Sequence, residues 1–362
     1  MSLSIGIVGL PNVGKSTLFN ALTDAQALAA NYPFATIEPN TGIVPIPDPR
    51  LKKLAELYKT EKIVPATVTF VDIAGLVEGA SKGEGLGNQF LSHIRSCSAI
   101  CQVVRAFEDP DVTRSSSTDP LHDIEVINTE LALADLATVN NRLPRLEKEI
   151  KADPKLKPVY DTVAKAKNLL ETGKPLSQAE LDYEHLADLH LLTAKPIIYV
   201  FNVDEAALQG STLQQGATLQ EQMRKFIEPS KAIFISAKLE SELRGLDEID
   251  RAELLESYGQ SESGLVQLIH AAYDTLGLQS YLTAGEKEVR AWTIKKGATA
   301  PQAAGVIHGD FERGFIAAQV VDYDDLISAG SIASARSAGK VRTEGKDYIM
   351  QPNDVVEFRF NV

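Results

Sequence analysis

Gly9-Leu10-Pro11-Asn12-Val13-Gly14-Lys15-Ser16 is the stretch whose residue types and spacing can do chemistry. Its G-x-x-x-x-G-K-S pattern follows the apolar run Ile5-Gly6-Ile7-Val8 and precedes Thr17-Leu18-Phe19-Asn20-Ala21-Leu22. A strand, a glycine loop and a helix in that order are the context a Walker A motif requires. Gly9 and Gly14 admit backbone conformations closed to residues with a Cβ, so successive N–H groups can converge on phosphate oxygens. The helix N-terminus behind them adds partial positive charge. The expected cradle is Asn12, Val13, Gly14, Lys15, Ser16 and Thr17. Lys15 would reach the β- and γ-phosphates, and the Ser16 hydroxyl would hold Mg2+.

Two further segments complete a γ-phosphate sensor. Asn31 to Asn40 is a loop rich in Pro and Asn with Thr36 at its middle. A threonine about 20 residues past the Lys-Ser pair supplies a second oxygen to Mg2+ in switch-type NTPases. Val64 to Val71 reads as one strand ending at Asp72-Ile73-Ala74-Gly75. Asp72 would bind Mg2+ through a water, and the Gly75 N–H would meet the γ-phosphate. Leu76 follows where Ras-like enzymes place a water-orienting glutamine, so intrinsic hydrolysis is expected to be slow. Gly79, Gly83, Gly85 and Gly87 read as a switch loop, because no strand precedes them.

Base recognition falls on Asn202-Val203-Asp204-Glu205, at the end of the buried strand Pro196 to Asn202. A GTPase has N-K-x-D there, and its aspartate accepts from guanine N1–H and the 2-amino group. Here Val203 replaces the lysine and Glu205 the aspartate. Adenine offers no N1 donor, so the altered box argues against guanine as the preferred base. Ile233 to Lys238 supplies a last strand and loop, with Ser236 and Ala237 backing the base.

These residues need elements to position them. At 362 residues the chain is long enough for two or three domains with their own cores. A 44% hydrophobic and 23% charged composition is that of an ordinary globular protein. No apolar run approaches membrane-spanning length. The N-terminus runs straight into a core strand, and a cytoplasmic location without a membrane partner is expected. Net charge of −13 opposes general polyanion binding, so DNA is not an expected partner, although a local basic patch stays open. Cys97 and Cys101, at i, i+4 beside an apolar strand, read as buried free thiols.

Between the strand Ile100 to Phe107 and its partner at 196–202, two apolar stripes keep 3-4-3-4 spacing: Leu136, Val139, Leu143, Leu146, Ile150, and Leu156, Val159, Val163, Ala166, Leu170. Lys151 to Lys155 joins them as a turn, which makes an antiparallel helical hairpin. Ser177-Gln178-Ala179-Glu180 reads as a capping box opening a third helix. From Arg142 to Lys174 there are nine Lys or Arg against five Asp or Glu, a basic arm in an acidic chain. From about Tyr281 the chain changes character. Strands at 289–294, 314–321 and 355–362 and a short helix at 301–307 indicate an α+β module, with Trp292 and His308 in packing or turn roles.

Taken together, Gly9 to Ser16 with Pro11-Asn12, the Asn31 to Asn40 loop, Asp72 to Gly87 and Asn202-Val203-Asp204-Glu205 closely resemble the YchF-type (Obg-like) ATPases along the whole chain. The resemblance implies an α/β fold: a P-loop NTPase (G-domain-like) sheet with an inserted antiparallel helical hairpin and a C-terminal β-grasp (TGS-like) module. The expected divisions are 1–128 and 194–280 for the NTPase domain, 129–193 for the hairpin and 281–362 for the C-terminal module. It implies ATP as substrate, Mg2+ and also K+ as cofactors, and the ribosome with its RNA as partner. It further implies Asn12 as a K+ ligand and the Val203 region as adenine-facing. Arg114, by position, stands where many members carry a histidine proposed for catalysis. An arginine cannot act as a base near neutral pH, but it could stabilise transition-state charge. The expectation is a Mg2+-dependent ATPase that binds ribosomes according to its nucleotide state and so regulates translation or the stress response. A GTPase with a degenerate base box, and a nucleotide-sensing ribosome adaptor that does not depend on hydrolysis, stay open as alternatives.

Overall fold

The computed structural model of the chain describes residues 3–24, 40–73, 86–107, 119–208 and 215–361. Thr36, Gly75, Leu76, Arg114 and the glycines at 79, 83 and 85 lie outside the described residues.

In chain order the N-terminal elements are β1 (Ser4–Val8), α1 (Lys15–Asp24), β2 (Thr41–Pro45), α2 (Pro49–Tyr58), β3 (Ile63–Val64) and β4 (Thr67–Asp72). Next come α3 (Leu86–Ser96), β5 (Ala99–Ala106), α4 (Pro120–Ala152) and α5 (Lys157–Glu171). Then follow β6 (Ile197–Val203), α6 (Glu205–Leu208), α7 (Gln215–Ile227), β7 (Lys231–Ile235), α8 (Ala237–Leu243), α9 (Glu248–Ser257) and α10 (Gly264–Thr275). The C-terminal part holds β8 (Leu278–Ala284), β9 (Val289–Lys295), α11 (Ala300–Ile307), α12 (Gly309–Arg313), β10 (Phe315–Asp322), α13 (Tyr323–Ala329), α14 (Ile332–Ser337), β11 (Arg342–Glu344) and β12 (Asp354–Phe360).

These elements form two compact units, residues 1–44 with 69–276 and residues 45–68 with 277–362. Residues 45–68, assigned by sequence to the nucleotide domain, therefore cluster with the C-terminal unit.

The first unit is built on a six-stranded sheet ordered β2-β4-β1-β5-β6-β7. β4, β1, β5, β6 and β7 pair in parallel. β1 and β6 are buried at every position, as strands covered on both faces must be. The sheet's carboxyl ends present Val8, Asp72, Ala106 and Val203, where ligands bind in open α/β sheets.

α4 starts on the Asp119 cap with Pro120 in the first turn and runs 33 residues. Its first half buries Ile124, Ile127 and Leu131, and its second half packs on α5 through Val139, Leu146, Val163, Ala166 and Leu170. The hairpin thus grows from the nucleotide unit without a break in the helix. Asp135, fully buried, accepts from Leu192 N–H, Thr193 N–H and the Thr193 hydroxyl at 2.7–2.8 Å and fixes the returning chain.

Two expectations are corrected. The capping box at Ser177 opens no third α-helix: Leu176–Gln178 is a single 3-10 turn, followed by another at Glu184–Leu189. Ala179 is extended, with φ of −104° and ψ of 147°, which ends the turn, and the Tyr183 hydroxyl bonds back to the Leu176 and Ala179 carbonyls. The segment Val64 to Val71 is not one strand but β3 and β4, which lie in different sheets. Pro65, which lacks an N–H, falls between them.

The second unit carries a six-stranded sheet ordered β11-β10-β12-β8-β9-β3. β8 pairs antiparallel with β9 and parallel with β12, and β12 pairs antiparallel with β10. With α11 crossing from β9, this is the topology of a β-grasp. Its core gathers Tyr281, Ile294, Ala300, Ala303, Phe315, Val320 and Val356, with Trp292 packed beside it. Trp292 Nε1 donates to Thr283 Oγ1 at 2.9 Å. His308 Nδ1 caps α12 by accepting from Asp310 N–H. Both residues have the packing and turn roles expected of them.

Candidate nucleotide site

The loop from Gly9 to Gly14 joins buried β1 to α1. Its shape demands particular residues. Gly14 has φ of +98°, and a Cβ there would stand 2.6 Å from Asn202 Nδ2. A Cβ on Gly9 would stand 2.6 Å from the Val103 carbonyl oxygen. Asn12 has φ of +61°, a left-handed conformation that asparagine tolerates better than most residues.

Lys15 is nine-tenths buried at the start of α1, and its Nζ donates to the Leu10 carbonyl at 2.7 Å. The ammonium is thereby folded over the loop. Burial lowers its pKa, an effect that the nearby Asp72 carboxylate opposes. Burial pushes Asp72 upward, with Lys15 opposing in turn. Asp72 ends β4, and its N–H donates to the Asn40 carbonyl at 2.8 Å. Ser16 and Thr17 are exposed in the first turn of α1. The Ser16 hydroxyl and the Asp72 carboxylate at the end of β4 would together offer oxygen donors only, which suits Mg2+ held jointly by protein and phosphate.

Asn202 ties two loops together. Its Nδ2 donates to the Val13 carbonyl at 3.2 Å, and its Oδ1 accepts from Ala237 N–H at 3.2 Å. The loop of residues 9–14 and the start of α8 are thus held by one buried side chain at the end of β6. Ser236 caps α8 by accepting from Leu239 N–H. Around these residues lies a cavity of about 390 Å3 lined by Phe107, Asn202, Val203, Asp204, Glu205, Ala206, Ser236, Ala237 and Lys238. Asn202, Val203, Glu205, Ser236 and Ala237, expected at the base, all line it.

Phe107, Ala206 and Lys238 also line the cavity and were not expected from the sequence as site residues. The Arg105 guanidinium lies 4.4 Å over the Phe107 ring. Lys238 Nζ donates to Glu205 Oε2 at 3.0 Å. The one available signal was the lysine following Ser236-Ala237, since nothing in the strand Ile100 to Phe107 separates Phe107 from a core residue.

A parallel sheet, a strand–glycine loop–helix at its carboxyl edge and a base-sized cavity beside it define a P-loop nucleotide-binding protein of the G-domain type. Residues 4–142 match the family MMR_HSR1, described as a 50S ribosome-binding GTPase, and residues 278–361 match YchF-GTPase_C, described as a protein of unknown function (DUF933). Over 100% of both chains, this chain is 52% identical to the ribosome-binding ATPase YchF of Bacillus subtilis and 50% identical to that of Escherichia coli O157:H7. The solved structure of the Schizosaccharomyces pombe YchF GTPase superposes with a TM-score of 0.87 at 38% identity, covering 99% of this chain and 98% of that one. The chain belongs to the YchF family.

Proposed function

We propose that this protein is a Mg2+-dependent ATPase whose nucleotide state governs its association with the ribosome. The observation that carries the reading is the base cavity. Asn202 ties it to the phosphate loop, Val203 stands where a guanine-reading lysine would, and the Glu205 carboxylate is engaged by Lys238. A carboxylate so engaged is not free to read guanine by two hydrogen bonds, whereas adenine makes no such demand.

In this reading Asn12 to Thr17 cradle the phosphates through their backbone N–H groups. Lys15 leaves the Leu10 carbonyl to meet the β- and γ-phosphates. Ser16, Thr36 and, through a water, Asp72 would hold Mg2+, which would supply charge neutralisation for the β- and γ-phosphates. The Gly75 N–H senses the γ-phosphate. Asn12 would hold K+, and Arg114 would stabilise transition-state charge. Leu76 cannot orient water, so turnover without a partner is slow. The arm of residues 129–193 carries Lys148, Lys151 and Lys155 exposed near its tip, with no ion pair among the described residues. These charges suit ribosomal RNA, and the ribosome places the protein in the cytoplasm, where it would tune translation.

Calorimetric titration of nucleotide-free protein with ATP and GTP, each with Mg2+, tests the reading. ATP tighter by tenfold or more, about 1.4 kcal/mol, supports it. GTP tighter by that margin overturns it. Lys15→Ala is expected to abolish binding of both nucleotides, and undiminished ATP affinity in that variant would reject the phosphate site.

A further inference from the structure

We propose that Lys238 is a positioning residue that sets which base the cavity accepts, by keeping the Glu205 carboxylate out of the two-acceptor geometry that guanine requires. The inference rests on the base-site reading given above and deepens it.

Guanine presents two adjacent donors, N1–H and the 2-amino group, and a carboxylate reads them with both oxygens at once. In this protein Glu205 Oε2 accepts from Lys238 Nζ at 3.0 Å, and Glu205 Oε1 is buried with no hydrogen-bond partner among the described residues. Neither oxygen is offered as half of a fork. The backbone donor at the same wall is also committed, because Ala237 N–H already donates to Asn202 Oδ1. It is not free to meet the 6-carbonyl of guanine.

The pair is asymmetric. The Lys238 side chain is 72% exposed, while that of Glu205 is only 23% exposed. The ammonium reaches in from the solvent side on a flexible four-carbon stem. Glu205 carries a buried acceptor with nothing to accept from, an arrangement that costs free energy. Taking Lys238 away leaves the carboxylate with neither partner, and a ligand with two adjacent donors would then satisfy it best. Guanine has them, and adenine has a single amine. Lys238 therefore discriminates by occupying an acceptor that the wrong base needs.

The test titrates ATP and GTP, each with Mg2+, into the full chain and three variants. Lys238→Ala is expected to tighten GTP relative to ATP by about tenfold, the weight of one charge-assisted hydrogen bond. Lys238→Arg should keep the wild-type ratio, because it restores a cation to Glu205. Adding Glu205→Gln to Lys238→Ala should cancel the gain, because an amide cannot accept from both guanine donors. A Lys238→Ala protein with an unmoved ratio, or with both nucleotides weakened alike, overturns the proposal while leaving the base-site reading intact. A wild-type protein that prefers GTP overturns the base-site reading and the proposal together.

Discussion

Asn202 and Val13, separated by 189 positions in the chain, are joined by a hydrogen bond of 3.2 Å from the Asn202 amide to the Val13 carbonyl. A side chain at the end of β6 thereby sets the backbone of the phosphate loop. Asn202→Ala removes both this bond and the acceptor for Ala237 N–H. The bond to Val13 is buried and that from Ala237 partly buried, so two groups lose their partners, at roughly 1–3 kcal/mol each. ATP affinity is expected to fall by tenfold or more and melting temperature to drop. Asn202→Asp should weaken ATP as well, since a carboxylate cannot donate to Val13. Calorimetry and thermal melts on the two variants check this, and wild-type affinity in Asn202→Asp would reject it.

Gly14 faces the same asparagine from below. Alanine at this position meets two penalties, a φ of +98° and a Cβ 2.6 Å from Asn202 Nδ2. The backbone penalty alone is about 1–2 kcal/mol, and relief of the clash would displace Asn202 or the loop. Gly14→Ala should therefore fold with reduced stability and lose nucleotide affinity. Binding of a fluorescent ATP analogue reads the second effect separately from the first.

Much of this site is legible in the sequence because residues 9–16 do their work within one short loop. Contiguity is what a pattern can encode. The Asn202–Val13 bond and the Lys238–Glu205 pair are products of strand order: the first needs β6 laid beside β5, and the second needs β7 laid beside β6. The same limit governs the fold. Hydrophobic patterning locates α5, the part of α4 from Leu136 on, and the central strands β1, β5 and β6, because each buries an apolar stripe or run. It does not reveal that Pro65 divides one apolar run between two sheets. Nor does it reveal that Ala179 turns extended after one 3-10 turn, with the Tyr183 hydroxyl bonded back to the Leu176 and Ala179 carbonyls.

Cys101 gives a prediction in pH. It is completely buried in β5, and burial pushes its thiol up to about 12 from an ordinary 9.0. The unfolded chain ionises this thiol near 9, whereas the folded chain keeps its proton. Stability contributed by the group is whole below pH 9 and declines as pH rises from there through about 12. The stability difference between the wild-type protein and Cys101→Ala, followed by denaturant titration, should shrink across that window. In the native protein at neutral pH, a thiol reagent should leave Cys101 unmodified until denaturant is added.

Asp135 tests the joint between the arm and the nucleotide unit. Its carboxylate accepts three hydrogen bonds from Leu192 and Thr193, all buried. Asp135→Ala leaves all three donors without a partner at a cost of roughly 3 kcal/mol or more. A lowered denaturation midpoint is expected, with the return segment near Thr193 exchanging its amides faster than in the wild-type protein. Equal exchange there would mean that the packing of Leu191 and Leu192 suffices to hold the segment.

The arm's charge can be tested apart from its fold. Lys148, Lys151 and Lys155 are exposed, so their replacement by Gln should leave helix packing at Val139, Leu146 and Val163 unchanged. If the arm lies on ribosomal RNA, each lost phosphate contact lowers the slope of log affinity against log salt by about 0.7–0.9. The triple variant should then show weaker sedimentation with ribosomes at low salt and a slope shallower by about 2–3. ATP affinity should not move, because none of the three residues lines the base cavity. An unchanged slope with intact ribosome binding would place the RNA-facing surface elsewhere and leave the nucleotide chemistry as derived.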